Sequence, residues 1–582
     1  MPDQEVTFRI GGEAGQGVES GGMGFVQALT FAGLYAIGIP NYFSRIRGGQ
    51  NFYTIRASDQ PVYAITDTVD LLLCLNAETL EWHIGAIAPG GIALLDDETK
   101  FDEELTRGRD VQIIRAPVGK IAEQHGNKIM KNTGFLAVAG ALAGVDVEPI
   151  IAVIHKNFRV KGDKVVRQNE AVARDSYEWA RQQAAASRFK LPQVKPQPRV
   201  ALSGNQAFSI GSIVAGCKFT AGYPMTPSTS ILEYIAEHAD DWGMVFQHAE
   251  DEISAINMAI GAAHAGVRAM VATSGGGFDL MTEGLSLAGI TETPVVVYLG
   301  QRPGPATGLA TRTAQGDLFL AWHAAHGEFP RVILAPHTPA ETFDCAIRAF
   351  NIAEKYQCLV IVLSDQYLAS LAWATDLSTF NIENAPIDRG KLLSTEELEQ
   401  MDEYQRFAVT PDGVSPRAIP GSSPKAVYLT TANEHAESGH ITEDAATTVA
   451  QVSKRLRKLD AARAEIRPPY RFGPEEADVT FVAWGSSYGP VYEAMQSLNA
   501  QGTPANMVHF VDLWPFPREE ARKALSNARR IIDVEGNAQA QFAYMLQAET
   551  GIQVDQKILR YDGRSFTPGY ILDRLEGSGN GR

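Results

Sequence analysis

The stretch HAEDEISAINMAIGAAHAGVRAMVATSGGGFDLMTEGLSLAG (248–289) decides how this chain reads. It runs from an acidic start through a helical repeat of small residues, a short strand and a glycine turn into a second helix. Ala255, Ala259, Ala262 and Gly266 recur at i, i+4, i+7 and i+11, a stripe against which another helix or backbone can pack closely. RAMVAT (268–273) has the length of a buried strand. Glu250, Asp251 and Glu252 lie where a helix begins. Acidic side chains there favour the positive end of the helix dipole, so each has a purely structural explanation.

The same alternation spreads outward. VTFRI (6–10), PVVVYL (294–299), LVIVLS (359–364) and VTFVAWG (479–485) are continuous apolar runs separated by helical stretches. Such strands belong to parallel sheets covered on both faces, so the expected fold class is α/β, repeated along the chain. The chain of 582 residues has room for three or four domains. RFKLPQVKPQPRV (188–200) has a linker's prolines and charges, and residues 386–475 are rich in charge, Pro and Ser around one charged helical stretch (443–466). The expected division is 1–187, a linker at 188–200, 201–385, an excursion at 386–475, a last α/β part at 476–575, and a frayed tail at 576–582.

Composition excludes several functions. A net charge of −17 disfavours a nucleic-acid binder, which needs clustered Lys and Arg. The apolar runs are too short to span a bilayer, and the N-terminus has no signal-peptide pattern, so a cytoplasmic protein without membrane contact is expected. The four cysteines, Cys74, Cys217, Cys345 and Cys358, form no C-x-x-C. They suit a reducing compartment and lack the spacing that wraps an iron–sulfur cluster. His248, His264, His323 and His326 show no zinc-site spacing, and no metal site is expected.

Three further motifs could carry chemistry. VTFRIGGEAGQGV opens a helix with a glycine turn, which could present N–H groups to an anion or simply pack tightly on its sheet. It is neither G-x-G-x-x-G nor a P-loop. NYFSRIRGGQNFY (41–53) sets Arg45 and Arg47 before two glycines, either a grip on a phosphate or a solvated turn. AGYPMTPSTSILEYIAEHA (221–239) places Thr226 between prolines, and GPATGLATRTAQGDLFLAWHAAHG (304–327) places Arg312 among threonines.

YPMTPST, the acidic helix start, TSGGGF and TRTAQGDL, in this order, resemble the alpha subunit of 2-oxoacid:ferredoxin oxidoreductases. The 2-oxoglutarate type with fused gamma and alpha parts is the most similar. GGEAGQGV and RIRGG resemble the gamma part. ANEHAESGHITED (432–444), WGSSYGPV (484–491), VDLWPFP (511–517), VEGNAQAQ (534–541) and YDGRSFTPGYI (561–571) resemble the rest of the alpha part. The chain departs from the family's commoner wording at Met225, Gly276 and Ala314, where Ile, Pro and Glu are usual.

The resemblance implies a gamma-type domain, a doubly wound domain binding the pyrimidine of thiamine diphosphate, and a transketolase C-terminal-like domain. It implies an enzyme that oxidatively decarboxylates a 2-oxoacid to an acyl-CoA and reduces ferredoxin, or runs in reverse. Glu252, nine residues before Gly261, becomes the candidate for the pyrimidine nitrogen, with Glu250 as the alternative. Thr226 and Arg312 become the substrate-carboxylate candidates. Tyr223, Pro224, Ser274 and Gly275 become cofactor contacts, and Arg47 a coenzyme A contact. A beta subunit would supply the Mg2+–diphosphate site and a 4Fe–4S cluster, with two copies of each chain. A pyruvate or aryl-pyruvate enzyme of the same superfamily, or a non-catalytic CoA- or nucleotide-binding scaffold, are the alternatives.

Overall fold

The computed structural model describes residues 4–43, 49–183 and 187–577. Arg45, Arg47 and most of the 576–582 tail lie outside the described residues. The chain forms two compact units, one drawn from Met1–Ser203, Ser370–Thr379 and Thr567–Arg582, the other from Gly204–Ala369 and Phe380–Phe566. Both are α/β, as the alternating pattern requires. Among the described residues no helix is long and apolar enough to cross a membrane.

The first unit is built on a mixed eight-stranded sheet. Glu5–Glu13 lies inside it, antiparallel to Gln50–Ser58 and parallel to Val69–Cys74. The glycine motif ends this strand and opens the helix Val18–Phe31 through Gly17, whose φ of 75 suits a residue without Cβ. One strand comes from far along the chain. Ala372–Asp376 pairs with Tyr35–Asn41 on one side and Arg199–Leu202 on the other, so residues expected within 201–385 complete the first sheet. Arg199, at the end of the expected linker, begins a strand and binds Asp376 at 2.6 Å. Five-residue strands paired across such distances leave no local periodicity to read.

The second unit holds two sheets. Its seven-stranded sheet runs in the order Asp512–Trp514, Arg331–Leu334, Leu359–Asp365, Val295–Gln301, Arg268–Thr273, Cys217–Gly222, Val245–His248. Val295–Gln301 and Leu359–Asp365 are buried at every position, which is why they read as unbroken apolar runs. Glu252–His264 turns Ala255, Ile256, Ala259, Ile260 and Ala263 inward. Gly284 of Gly275–Ile290 packs on Ile256, so closely that a Cβ there would lie 2.8 Å away. The five-stranded sheet orders Tyr470–Phe472, Ala505–Phe510, Val479–Trp484, Ile531–Glu535 and Gln556–Leu559, parallel except at its first strand.

Residues 386–475 wrap this second unit and are pinned by buried charge. Glu354 binds Arg268 at 2.8 Å and also meets Arg389 and Arg417. Glu292 lies between Lys454, at 2.6 Å, and Lys458, all three almost fully buried. Burial alone would raise the Glu292 carboxyl, but the two lysines hold it far below the usual range. Burial brings Lys454 down to about 8 despite its partner. Removing one member of a buried ion pair costs about 3–5 kcal/mol. Glu292→Gln should therefore lower the urea midpoint of the chain at pH 7, with a deficit that shrinks as pH rises toward about 8 and levels off above it, where Lys454 has lost its proton in the natural chain as well.

Candidate functional site

Parallel open sheets bind ligands beyond the carboxyl ends of their strands, where the loops diverge. Three adjacent strands of the seven-stranded sheet, Cys217–Gly222, Arg268–Thr273 and Val295–Gln301, carry the singled-out motifs at these ends. The first is followed by Tyr223–Ser228, the second by the glycine turn, the third by the Arg312 loop. The Ser228 hydroxyl donates to the Thr273 carbonyl at 2.5 Å, tying the first loop to the glycine turn. Arg302 donates to the Thr226 carbonyl at 2.7 Å, tying the first loop to the third.

Glu252 opens its helix directly beside the glycine turn. Asp251 is the N-cap, accepting from the Ser254 amide at 2.7 Å, which leaves the Glu252 side chain free of capping duty. Glu252 is 3% exposed, and its Oε1 is buried with no hydrogen-bond partner among the described residues. Burial pushes its carboxyl pKa up. Gly277 makes this placement possible: a Cβ there would fall 2.1 Å from Thr273 Oγ1 and 2.5 Å from Glu252 Oε1. Glu250 is exposed.

Two more unpartnered polar atoms border the same turn. Ser274 Oγ is fully buried without a partner. Asp317 Oδ2 is buried without one as well, and a Cβ on Gly275 would meet it at 2.8 Å. Burial raises Asp317 to about 6, helped by the charge of Asp279 and opposed by Arg302. Buried polar groups are nearly always satisfied, so three orphan oxygens around residues 273–278 mark a place prepared for donors from outside the chain. An aminopyrimidine ring, with a nitrogen that takes a proton and an amine that donates, fits that donor demand.

The structure thus gathers Glu252, Ser274 and Gly275 around one turn, with Thr226 on the adjoining loop, its carbonyl held by Arg302 and its near neighbour Ser228 bonded to the turn. Tyr223 and Pro224 are exposed on the adjoining loop, the Tyr223 ring 6.4 Å from that of His248. Arg312 is half-buried on the third loop, its stem against Gly563. Burial lowers its pKa, as does the neighbouring charge of Arg564. Arg302 and Asp317 were missed by sequence reasoning. Asp317 follows TRTAQG and precedes LFLAW, so it reads as an ordinary helix cap, and its approach to Gly275 spans 42 positions.

Residues 210–454 match the family described as pyruvate flavodoxin/ferredoxin oxidoreductase, thiamine diP-bdg. Residues 7–179 match pyruvate ferredoxin/flavodoxin oxidoreductase, and 477–571 match pyruvate:ferredoxin oxidoreductase core domain II. A 2-oxoacid:ferredoxin oxidoreductase subunit alpha from Sulfolobus sp is 34% identical, covering 98% of this chain and 96% of its own. A 2-oxoglutarate oxidoreductase subunit KorA from Mycobacterium tuberculosis is 27% identical over 97% of this chain and 90% of its own. A solved 2-oxoglutarate:ferredoxin oxidoreductase from Magnetococcus marinus, with 2-oxoglutarate, coenzyme A and succinyl-CoA bound, superposes with a TM-score of 0.90 at 32% identity, covering 99% of each chain.

Asp317 offers a check on the geometry of the turn. A carboxyl raised from 3.8 to about 6 on folding favours the fold below pH 3.8 and loses that advantage as pH rises through about 6. Asp317→Asn should therefore gain stability relative to the natural chain between pH 4 and pH 8, by about 2–3 kcal/mol in urea unfolding. A difference that does not change with pH would place the carboxylate in water.

Proposed function

Because the chain belongs to the 2-oxoacid:ferredoxin oxidoreductase family as an alpha-type subunit, we propose that it forms one half of a CoA-dependent active site that decarboxylates 2-oxoglutarate to its acyl-CoA. Electrons pass to ferredoxin, and the reverse carboxylation uses the same site. Thiamine diphosphate, when bound, supplies the stabilised carbanion chemistry that breaks the bond to the carboxylate carbon. The residues of this chain bind, orient and hold protons around it.

The buried, unpartnered Oε1 of Glu252 carries the reading. A carboxyl with a raised pKa can share a proton with a pyrimidine nitrogen, where an exposed carboxylate would give it up to water. Gly275 and Gly277 leave room for Asp317 and for Glu252 beside the ring, and Ser274 offers its free hydroxyl. Tyr223 and Pro224 border the same edge.

Thr226 and Arg312 receive the carboxylate of the 2-oxoacid. Arg312 offers two parallel donors on a rigid plane, and a guanidinium carries its charge at neutral pH. Arg47, in the gamma-type part, meets coenzyme A.

The remaining machinery comes from a beta subunit that brings the Mg2+–diphosphate site and a 4Fe–4S cluster, in an assembly of two copies of each chain in the cytoplasm. The cysteines support this division. All four are buried, and burial raises the pKa of each, the reverse of what a cluster ligand needs.

The test is reconstitution with a candidate beta subunit, following CoA-dependent viologen reduction by 2-oxoglutarate and by pyruvate. Activity should require both chains, and turnover by this chain alone would refute the half-site. In the reconstituted enzyme Arg312→Ala removes a charge-assisted pair worth about 1.5–3 kcal/mol. It should therefore raise the KM for the 2-oxoacid roughly tenfold or more.

A further inference from the structure

The Arg312 loop leaves its sheet at Arg302 and rejoins regular structure at Leu318. A connection of this length without secondary structure needs anchors if a side chain on it is to hold a fixed place. The anchors come from the five-stranded sheet, and they converge on Gln315, which is 3% exposed.

Every polar group of Gln315 is engaged there. Its amide donates to the Gly536 carbonyl at 2.7 Å. Its Oε1 accepts from the Gly536 amide at 2.8 Å, and its Nε2 donates to the Trp484 carbonyl at 2.9 Å. Its carbonyl accepts from Asn537 Nδ2 at 3.0 Å. The slot is shaped by two glycines. A Cβ on Gly485, whose φ is 55, would meet Gln315 Nε2 at 3.0 Å, and one on Gly536 would meet the Gln315 amide at 3.3 Å.

The grip extends along the loop. Gln541 donates to the Gly316 carbonyl at 2.9 Å and accepts from the Phe319 amide at 3.0 Å. The gripping segment is itself fixed by Glu535, which accepts from Asn537 Nδ2 at 2.6 Å and from the Phe542 and Ala543 amides.

The location of the slot gives it meaning. Val479–Trp484 and Ile531–Glu535 are adjacent parallel strands, and Gly485 and Gly536 directly follow their carboxyl ends. From the first of these strands the chain goes one way to Ala505–Phe510 and then returns to the other side at Ile531–Glu535. This is the switch point at which an open α/β sheet takes its ligand. Here the chain's own Gln315 enters the crevice and takes the backbone groups of both strand ends, beside a cavity that Ser486, Pro490 and Arg564 also line.

We propose that the ligand crevice of the C-terminal α/β part has become a template for the Arg312 loop, with Gln315 as its positioning residue. The inference rests on the reading of Arg312 as the substrate-carboxylate clamp. Gln315 has its side-chain amide engaged by the backbone of the two strand ends. It fixes the backbone three residues after Arg312 and so sets where the guanidinium stands.

The test uses the natural enzyme, Gln315→Ala and Asn537→Ala, each assembled with the partner subunit. Three quantities are read: KM for the 2-oxoacid, KM for CoA with thiamine diphosphate affinity, and the rate of tryptic cleavage after Arg312. Both variants should raise the 2-oxoacid KM about tenfold, with CoA and cofactor affinities within twofold of the natural enzyme, and should speed the cleavage. Natural KM and cleavage rates would overturn the proposal. So would a joint loss of substrate, CoA and cofactor affinity in both variants, which would mean the contacts hold the fold at large. A natural enzyme inactive on every 2-oxoacid would refute the functional reading instead, and the cleavage comparison would still decide whether Gln315 latches the loop.

Discussion

Everything around the site follows from one unfavourable arrangement: the Glu252 carboxyl is buried with an oxygen that nothing among the described residues satisfies. An unmet buried acceptor costs about 1–3 kcal/mol. The fold maintains this cost through Gly277, since any side chain there would strike Thr273 Oγ1 and Glu252 Oε1. Asp251 takes the capping hydrogen bond that Glu252 could otherwise have found. Ser274 Oγ and Asp317 Oδ2 add two more unmet atoms at the same turn. Unmet polarity gathered in one place is what a binding site costs in stability.

The rest of the second unit stabilises that turn and sets its surroundings. The parallel strands deliver three loops to one edge, and Ser228 and Arg302 cross-link them. Residues 386–475 contribute no part of the turn, yet their charges on Glu354 and Glu292 hold the sheet and its helices from behind. The crevice of the C-terminal sheet holds Gln315. Two α/β layers thus serve one site, one presenting the loops and the other fixing the longest of them.

The α/β class was legible because buried parallel strands leave unbroken apolar runs, as at 295–301 and 359–365. The turn at 273–278 was legible as glycines between a strand and a helix. Choosing Glu252 over Glu250 needed family resemblance, since both suit a helix start, and burial separates them only in three dimensions. Asp317, Arg302 and Gln315 gave no signal because their partners are distant in sequence: Gln315 meets Gly536 across 221 positions. Lys454 and Lys458 stand in the stretch that read only as charged and helical, yet both are buried, and the glutamate that compensates them lies more than 150 residues earlier. Ala372–Asp376 was hidden for the same reason, its pairing partners lying at Tyr35–Asn41 and Arg199–Leu202.

The central claim is that the unmet oxygen of Glu252 is kept for a ring nitrogen of the cofactor. The most direct measurement is turnover of Glu252→Gln in the complex with its partner subunit, at saturating thiamine diphosphate, with folding checked by circular dichroism. The amide keeps the shape of the side chain but cannot take up a proton, so the account predicts a fall in kcat of about a hundredfold or more with the fold intact. Turnover within twofold of the natural enzyme would contradict it.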